Sequence, residues 1–298
     1  MADRILIVVN KSWELEPLLG VFASIEARPG RFPDQDVPPQ VAIPMSDGTT
    51  KTIKARLAYK TGTFTAEVWC IRDLMDPKKS SASSEEKARV LPFVTAAGSA
   101  PSRVVAFGTA NTADPHSYNG CVVIGSSVFV HNPYAAAPNP NSRWTHPDIG
   151  KLKDGSQQPM NTVMFGALER DRAAIEARFL PTPINPAASS TLILSAGYVA
   201  LSSVNVTNPA NYTWVDPEAL RAVAAAEPRQ AVGSVETTHG VIRLVVPSQQ
   251  FLFVSGIANR LGYFNQEVAP RPYAQNFAAG HNAAVVLAWL MPTLMGMP

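Results

Sequence analysis

The sequence predicts an α/β fold: a single domain with a central mixed sheet flanked by helices. Three observations carry that prediction. Short apolar runs such as RILIVV, RVVAF and FLFV have the length and bounding turns of buried strands. Segments with apolar residues three and four apart alternate with them, as a layered α/β chain requires. The 298 residues, 46% hydrophobic and 16% charged, suffice for a large core without disulfides or metal. No internal repeat or linker interrupts the chain. Residues 1–298 therefore read as one domain, with loop insertions near 28–50 and 131–159.

Arg4–Val9 reads as a buried strand, and Trp13–Phe22 as a helix with Leu15, Leu18, Leu19 and Phe22 on one face. Residues 28–50 are proline-rich and read as an irregular covering loop. Thr52–Tyr59 and Thr63–Ile71 alternate around Lys60-Thr61-Gly62, which suggests a hairpin. Ser84–Ala96 reads as a helix with Glu85 and Glu86 in its first turn, where acids suit the dipole. Arg103–Phe107 is a short strand ending in a turn at Gly108-Thr109-Ala110-Asn111, and Asn119–Val130 contains another strand. A long loop from His131 to Pro159 follows, of a length usually given to function or to an oligomer contact. Leu168–Phe179 reads as a helix ended by Pro181, Thr191–Leu194 as a strand leading to Tyr198, and Asp216–Ala225 as a helix capped by Asp216-Pro217. Ala231–Asn259 places Glu236 at a helix start and then an apolar strand that opens onto Ser255, Gly256 and Asn259. Pro272–Leu290 reads as the final helix.

Composition removes several function classes. A net charge of +2 without any Lys/Arg block argues against nucleic acid as a partner. Cys70 and Cys121 both sit in apolar runs and read as buried core residues. No CxxC and no Cys/His cluster is present, so no metal is expected. The N-terminus lacks the apolar run of a signal peptide, and the C-terminal AAVVLAWLMPTLMGMP reads as too short and too proline-broken to span a bilayer. The expectation is a cytoplasmic protein with no membrane partner. A serine hydrolase would need G-x-S-x-G, which the chain does not contain.

Five places remain that could carry chemistry. Glu14 and Glu16 lie near the first helix start, and the residues alone leave open which of them matters. Gly108, Thr109, Ala110 and Asn111 follow a central strand, where ligands of open α/β sheets sit. Tyr198 and Val199 follow TLILS and offer an aromatic wall. Val235, Glu236 and Thr237 present a carboxylate, an acceptor for hydroxyl protons. Ser255 and Asn259 end the last apolar strand.

Taken in this order, these stretches resemble the nucleoside phosphorylase and nucleosidase superfamily, which includes purine nucleoside phosphorylase and methylthioadenosine nucleosidase. The resemblance implies cleavage of a purine N-glycosidic bond by phosphate or water. Glu14 or Glu16 would position the attacking water, and residues 108–111 would contact base and sugar or phosphate. Tyr198 and Val199 would stack on the base, Glu236 between Val235 and Thr237 would hold the ribose hydroxyls, and Asn259 would face the purine beside Ser255. Three departures go with it. Asn111 and Thr112 stand where the superfamily has glycines, Asn259 replaces an acid, and no phosphate-binding arginine cluster is evident, leaving Arg72 and Arg103 as candidates. No cofactor is implied, only phosphate as a co-substrate. The implied partners are a small-molecule nucleoside or base and further copies of the chain in a homo-oligomer, with 131–140 and the C-terminal segment suited to the contact. The alternative is a divergent, weakly catalytic or non-catalytic nucleoside binder of the same fold.

Overall fold

In the computed structural model, the described residues are 3–81, 83–96, 98–113, 118–131, 143–145, 160–186, 191–194, 199–203, 219–220, 223–224, 226, 232–246 and 250–297. The chain opens with β1 (Asp3–Val9) and α1 (Ser12–Ala23). It continues through β2 (Asp34–Gln35), β3 (Gln40–Pro44), β4 (Thr50–Lys54), β5 (Leu57–Lys60) and β6 (Phe64–Cys70). Two helices, α2 (Ile71–Leu74) and α3 (Ser84–Ala96), lead to β7 (Arg103–Thr112), β8 (Val122–Gly125), β9 (Ser127–His131) and β10 (Arg143–Thr145). Then come α4 (Met160–Arg170), α5 (Arg172–Glu176), β11 (Leu192–Leu194), β12 (Val199–Ser203), β13 (Ser234–Glu236), α6 (His239–Val245), β14 (Gln250–Arg260) and α7 (Tyr273–Leu294).

The main sheet is mixed, with the path β10-β9-β12-β13-β7-β1-β6-β5-β2. It branches at β7, which also pairs with β14; β14 in turn pairs antiparallel with β8, and β8 parallel with β11. β1 lies between parallel β6 and β7, and every residue after Asp3 is buried. That is why RILIVV is continuously apolar: a central parallel strand is covered on both faces. Arg4 enters this core only because Glu67 accepts from its Nε at 2.8 Å and its Nη2 at 2.6 Å, while Val94 O accepts a further bond at 2.6 Å.

α7 covers β14 and packs against α1. It is long and apolar enough to cross a membrane, with mean hydropathy 1.3, and runs through Pro292, longer than the sequence suggested. Yet 72% of its apolar window is buried inside the fold. It is a core helix of this fold. Two of its amides do structural work. Asn282 accepts from Leu180 N and donates to Gly120 O and Leu180 O, and Gln275 accepts from Ile184 N and donates to Ala258 O. They supply the partners that the proline-interrupted segment 180–184 lacks in regular structure.

The structure corrects several expectations. The region 28–50 is not wholly irregular: β3 and β4 form a separate antiparallel pair, and β2 joins the main sheet beside β5. The hairpin partner of β6 is β5 alone, because the first strand expected over Thr52–Tyr59 is divided between β4 and β5. The expected turn at Gly108–Asn111 is strand, since β7 runs on to Thr112 with β14 beside it. Most of the 131–159 loop, and all but a few residues of the expected helix Asp216–Ala225, lie outside the described residues.

Candidate active site

The register of three parallel strands brings the candidate residues to one edge. Val9 on β1 and Val254 on β14 both pair with Phe107 of β7, so all three strands run toward the same side. At that side β13 meets β7 antiparallel through a single pairing, Val235 with Asn111. Asn259 pairs with the same Asn111 after an irregularity in β14. Residues 108–112 of β7 are thus a hub touched by segments far apart in sequence.

Glu14 reaches this hub from α1. Its Oε2 accepts the Lys11 backbone N–H at 3.0 Å, closing the helix start, while Oε1 accepts the Thr109 N–H at 2.8 Å and the Thr109 hydroxyl at 2.9 Å. Only 2% of the residue is exposed. Gly108 makes room for it, because a Cβ there would stand 3.1 Å from Oε1. Glu16 instead lies at the surface, where the Tyr273 hydroxyl donates to it. Of the two acids, the geometry brings Glu14 to the strand edge.

Glu236 is the last residue of β13 rather than a member of the following helix, which begins at His239, and this corrects the expectation that it stands at a helix start. Its carboxylate accepts the backbone N–H groups of Thr238 and His239, the latter at 2.9 Å, and so caps α6. Val235 is buried and Thr237 half-buried. The His239 ring stacks on Phe253, and its Nδ1 lies 3.7 Å from Glu236 Oε1. Burial pushes the His239 pKa down, against the opposing pull of Glu236 and Glu14, so the ring is neutral near pH 7.

Lys87, which the sequence did not single out, enters from α3. It is fully buried, and its ammonium donates to Thr238 Oγ1 at 2.8 Å. Burial pushes its pKa down to about 8, helped by the Lys11 ammonium and opposed by Glu236 and Glu14. Its placement had a signal: Lys87 sits three, four and seven residues before Val90, Leu91 and Val94, on the buried face of α3.

Asn259 is held at both ends. Its amide nitrogen donates to Asn111 Oδ1, and its Oδ1 accepts from Arg271 Nη1 at 2.7 Å. Arg271 also escaped the sequence. Ser255 is fully buried and bonds Ser234 between hydroxyls at 2.8 Å, tying β13 to β14 beneath the edge. Val199 begins β12, which runs parallel to β13; its side chain and the whole of Tyr198 lie outside the described residues. Neither arginine candidate reaches the hub. Arg72 donates to Lys79 O at 2.9 Å and Pro77 O at 3.2 Å. Arg103 begins β7, roughly 26 Å from Asn111 at ~3.3 Å per strand residue.

No family model matches the sequence, and no curated protein aligns with it. Solved structures do. The S-adenosylhomocysteine nucleosidase of Streptococcus pyogenes, crystallised with 5-methylthiotubericidin, superposes at TM-score 0.52 with 13% identity, over 100% of this chain and 98% of that one. The 5'-methylthioadenosine/S-adenosylhomocysteine nucleosidase of Campylobacter jejuni gives 0.53 and 13%, over 99% and 100%. A futalosine hydrolase mutant of Helicobacter pylori gives 0.52 and 10%, over 100% of both chains. At such identities the likeness is one of architecture, but it spans the whole molecule on both sides. The chain has the fold of the nucleoside phosphorylases and nucleosidases.

Proposed function

We propose that this protein binds a purine nucleoside at the edge formed by β1, β7, β13 and β14 and cleaves its N-glycosidic bond. One observation carries the reading: Glu14, Val235–Glu236 and Asn259 all converge on residues 108–112 of β7. Cleavage of such a bond passes through an oxocarbenium-like sugar, so carboxylates and fixed dipoles near the sugar lower the barrier. In this reading Glu236 accepts ribose hydroxyl protons while its carboxylate also holds the Thr238 and His239 N–H groups. Glu14 orients the nucleophile, phosphate or water. Asn259 meets the base through an amide backed by the Arg271 guanidinium, so the departing base is stabilised by hydrogen bonding rather than by a proton from residue 259. The reading also takes the protein as a homo-oligomer, which sedimentation velocity would report.

The test is release of free base from inosine, guanosine, adenosine and methylthioadenosine, each with and without phosphate, resolved by chromatography. Release only with phosphate makes the protein a phosphorylase, and release without it a nucleosidase. A second reading, a nucleoside binder with little turnover, is favoured by one feature: residue 259 is an amide with both ends already engaged. Binding without base release would select it.

Glu236→Gln gives a sharper check. A carboxamide keeps one acceptor and turns an NH2 toward the Thr238 and His239 N–H groups. Nucleoside affinity is expected to fall about tenfold or more, the scale of a lost charged hydrogen bond, with free-base affinity unchanged. Equal loss for nucleoside and base in calorimetry would remove the ribose role.

A further inference from the structure

Lys87 is an expensive residue to keep where it is. Among the described residues its one side-chain hydrogen bond is to the neutral Thr238 hydroxyl, and no carboxylate lies within 4.0 Å of its ammonium. An ammonium taken fully out of water with one neutral partner costs free energy that a methionine of similar length would not. Local rules broken in a core mark functional positions more often than accidents. The bond it makes leads to the candidate site: Thr238 is the residue before α6, and its N–H is bound by the Glu236 carboxylate.

We propose that Lys87 is a positioning residue for sugar binding: its buried ammonium holds the Thr238 hydroxyl and, through Thr238, the 236–239 turn that presents Glu236 to the cis-diol of a ribose. This rests on the nucleoside reading above. The charged groups acting on Lys87 are Lys11 ahead of α1, Glu14 on α1 and Glu236 at the end of β13, and Lys87 in turn acts on His239 of α6. The ammonium offsets the negative charge of Glu14 and Glu236 at the edge while tying α3 to the turn. With Lys87 gone, Thr238 is free to rotate and the carboxylate loses both its fixed frame and its nearby positive charge.

The experiment is Lys87→Met, read by thermal unfolding and by calorimetric titration of adenosine, inosine, adenine and hypoxanthine. The wild-type protein is titrated first; if it binds none of them, the nucleoside reading fails before any variant is made, and this proposal falls with it. Given wild-type binding, Lys87→Met is expected to raise Tm by roughly 2–4 °C or more, to weaken both nucleosides about tenfold, and to leave both free bases unchanged. A lower Tm, or a failure to fold, would make Lys87 a structural residue and overturn the proposal. A raised Tm with unaltered nucleoside affinity, or equal loss for nucleoside and base, would overturn it as well. The pH dependence supplies an independent readout. The folded pKa of about 8 lies below the 10.5 of an ordinary lysine, so between them the unfolded chain holds a proton the folded chain has lost. Wild-type stability should therefore gain with rising pH across that window relative to Lys87→Met. Superimposable pH profiles would count against a charged, buried Lys87.

Discussion

Gly256→Ala is expected to cost more than about 3 kcal/mol, at or beyond the usual range for overpacking a core. Gly256 lies in the middle of β14, paired with Thr109 on one side and Val122 on the other, and α7 crosses directly above it. A Cβ there would stand 1.9 Å from the carbonyl oxygen of Ala279 and 2.6 Å from its carbon. Both are helix backbone, so no change of rotamer relieves the clash and the helix itself must move. It is poorly placed to do so. Gly280 already seats α7 on Pro17 of α1, where a Cβ would come within 2.8 Å, and the Gln275 and Asn282 amides bolt it to segment 180–184. Against a total of roughly 5–15 kcal/mol for a native protein, the loss is large. The expected readout is a Tm lower by roughly 10 °C or more, or insoluble protein. Gly20→Ala is the control. That glycine lies in α1 with nothing within 4 Å of its Cβ position, so helix propensity alone acts and stability should rise by about 0.4–1 kcal/mol. A Gly256→Ala protein as stable as the wild type would mean that α7 does not press on β14 as described.

This contact shows what kind of information the sequence holds. β1 was legible because a strand buried on both faces must be apolar throughout, and the chain writes that as RILIVV. The start of α3 was legible in another way, through Glu85 and Glu86 in its first turn. Gly108 misled: a glycine after a strand suggests a turn, whereas here it is small so that the Glu14 carboxylate can lie against an unbroken strand. The two reasons for a glycine look identical in one sequence. The order of the candidate site could be read, because the β-strand exits of an open α/β sheet gather at one edge. Its hydrogen bonds could not. That Glu236 ends a strand and caps the next helix, that Arg271 reaches back to Asn259, and that Lys87 holds Thr238 are all matters of register between segments distant in sequence. Lys87 had left one local trace, a lysine on the apolar stripe of its helix, as had Glu14, which shares a face with Leu18 and Val21 while Glu16 does not.

Glu14→Gln is expected to reduce base release by roughly 10²–10⁴-fold, the range for a positioned acid or base. The carboxylate sits where three demands meet. It closes the start of α1 through Lys11, it holds Thr109 by backbone and hydroxyl, and it is the acid on α1 that reaches the strand edge. Glutamine fills the same volume but offers one oxygen, so its NH2 must face either the Lys11 or the Thr109 N–H, donor against donor. That mismatch costs stability too, on the order of 1–3 kcal/mol for a buried group left unpaired. The chemical and structural effects are separable by what each measurement sees. A structural loss lowers Tm and leaves turnover per folded molecule intact. A loss of nucleophile positioning lowers turnover per folded molecule while nucleoside affinity, which in this reading rests on Glu236 and Asn259, changes by less than about tenfold. Glu16→Gln is the internal comparison, since Glu16 is exposed and, among the described residues, its side chain bonds only Tyr273; its turnover should match the wild type. Should Glu16→Gln be the slow variant instead, the attacking group would have to approach from the solvent side of α1. Should neither variant slow base release, the acid on the first helix would be a cap and a strand tie, and the sugar-side chemistry would rest on Glu236 alone.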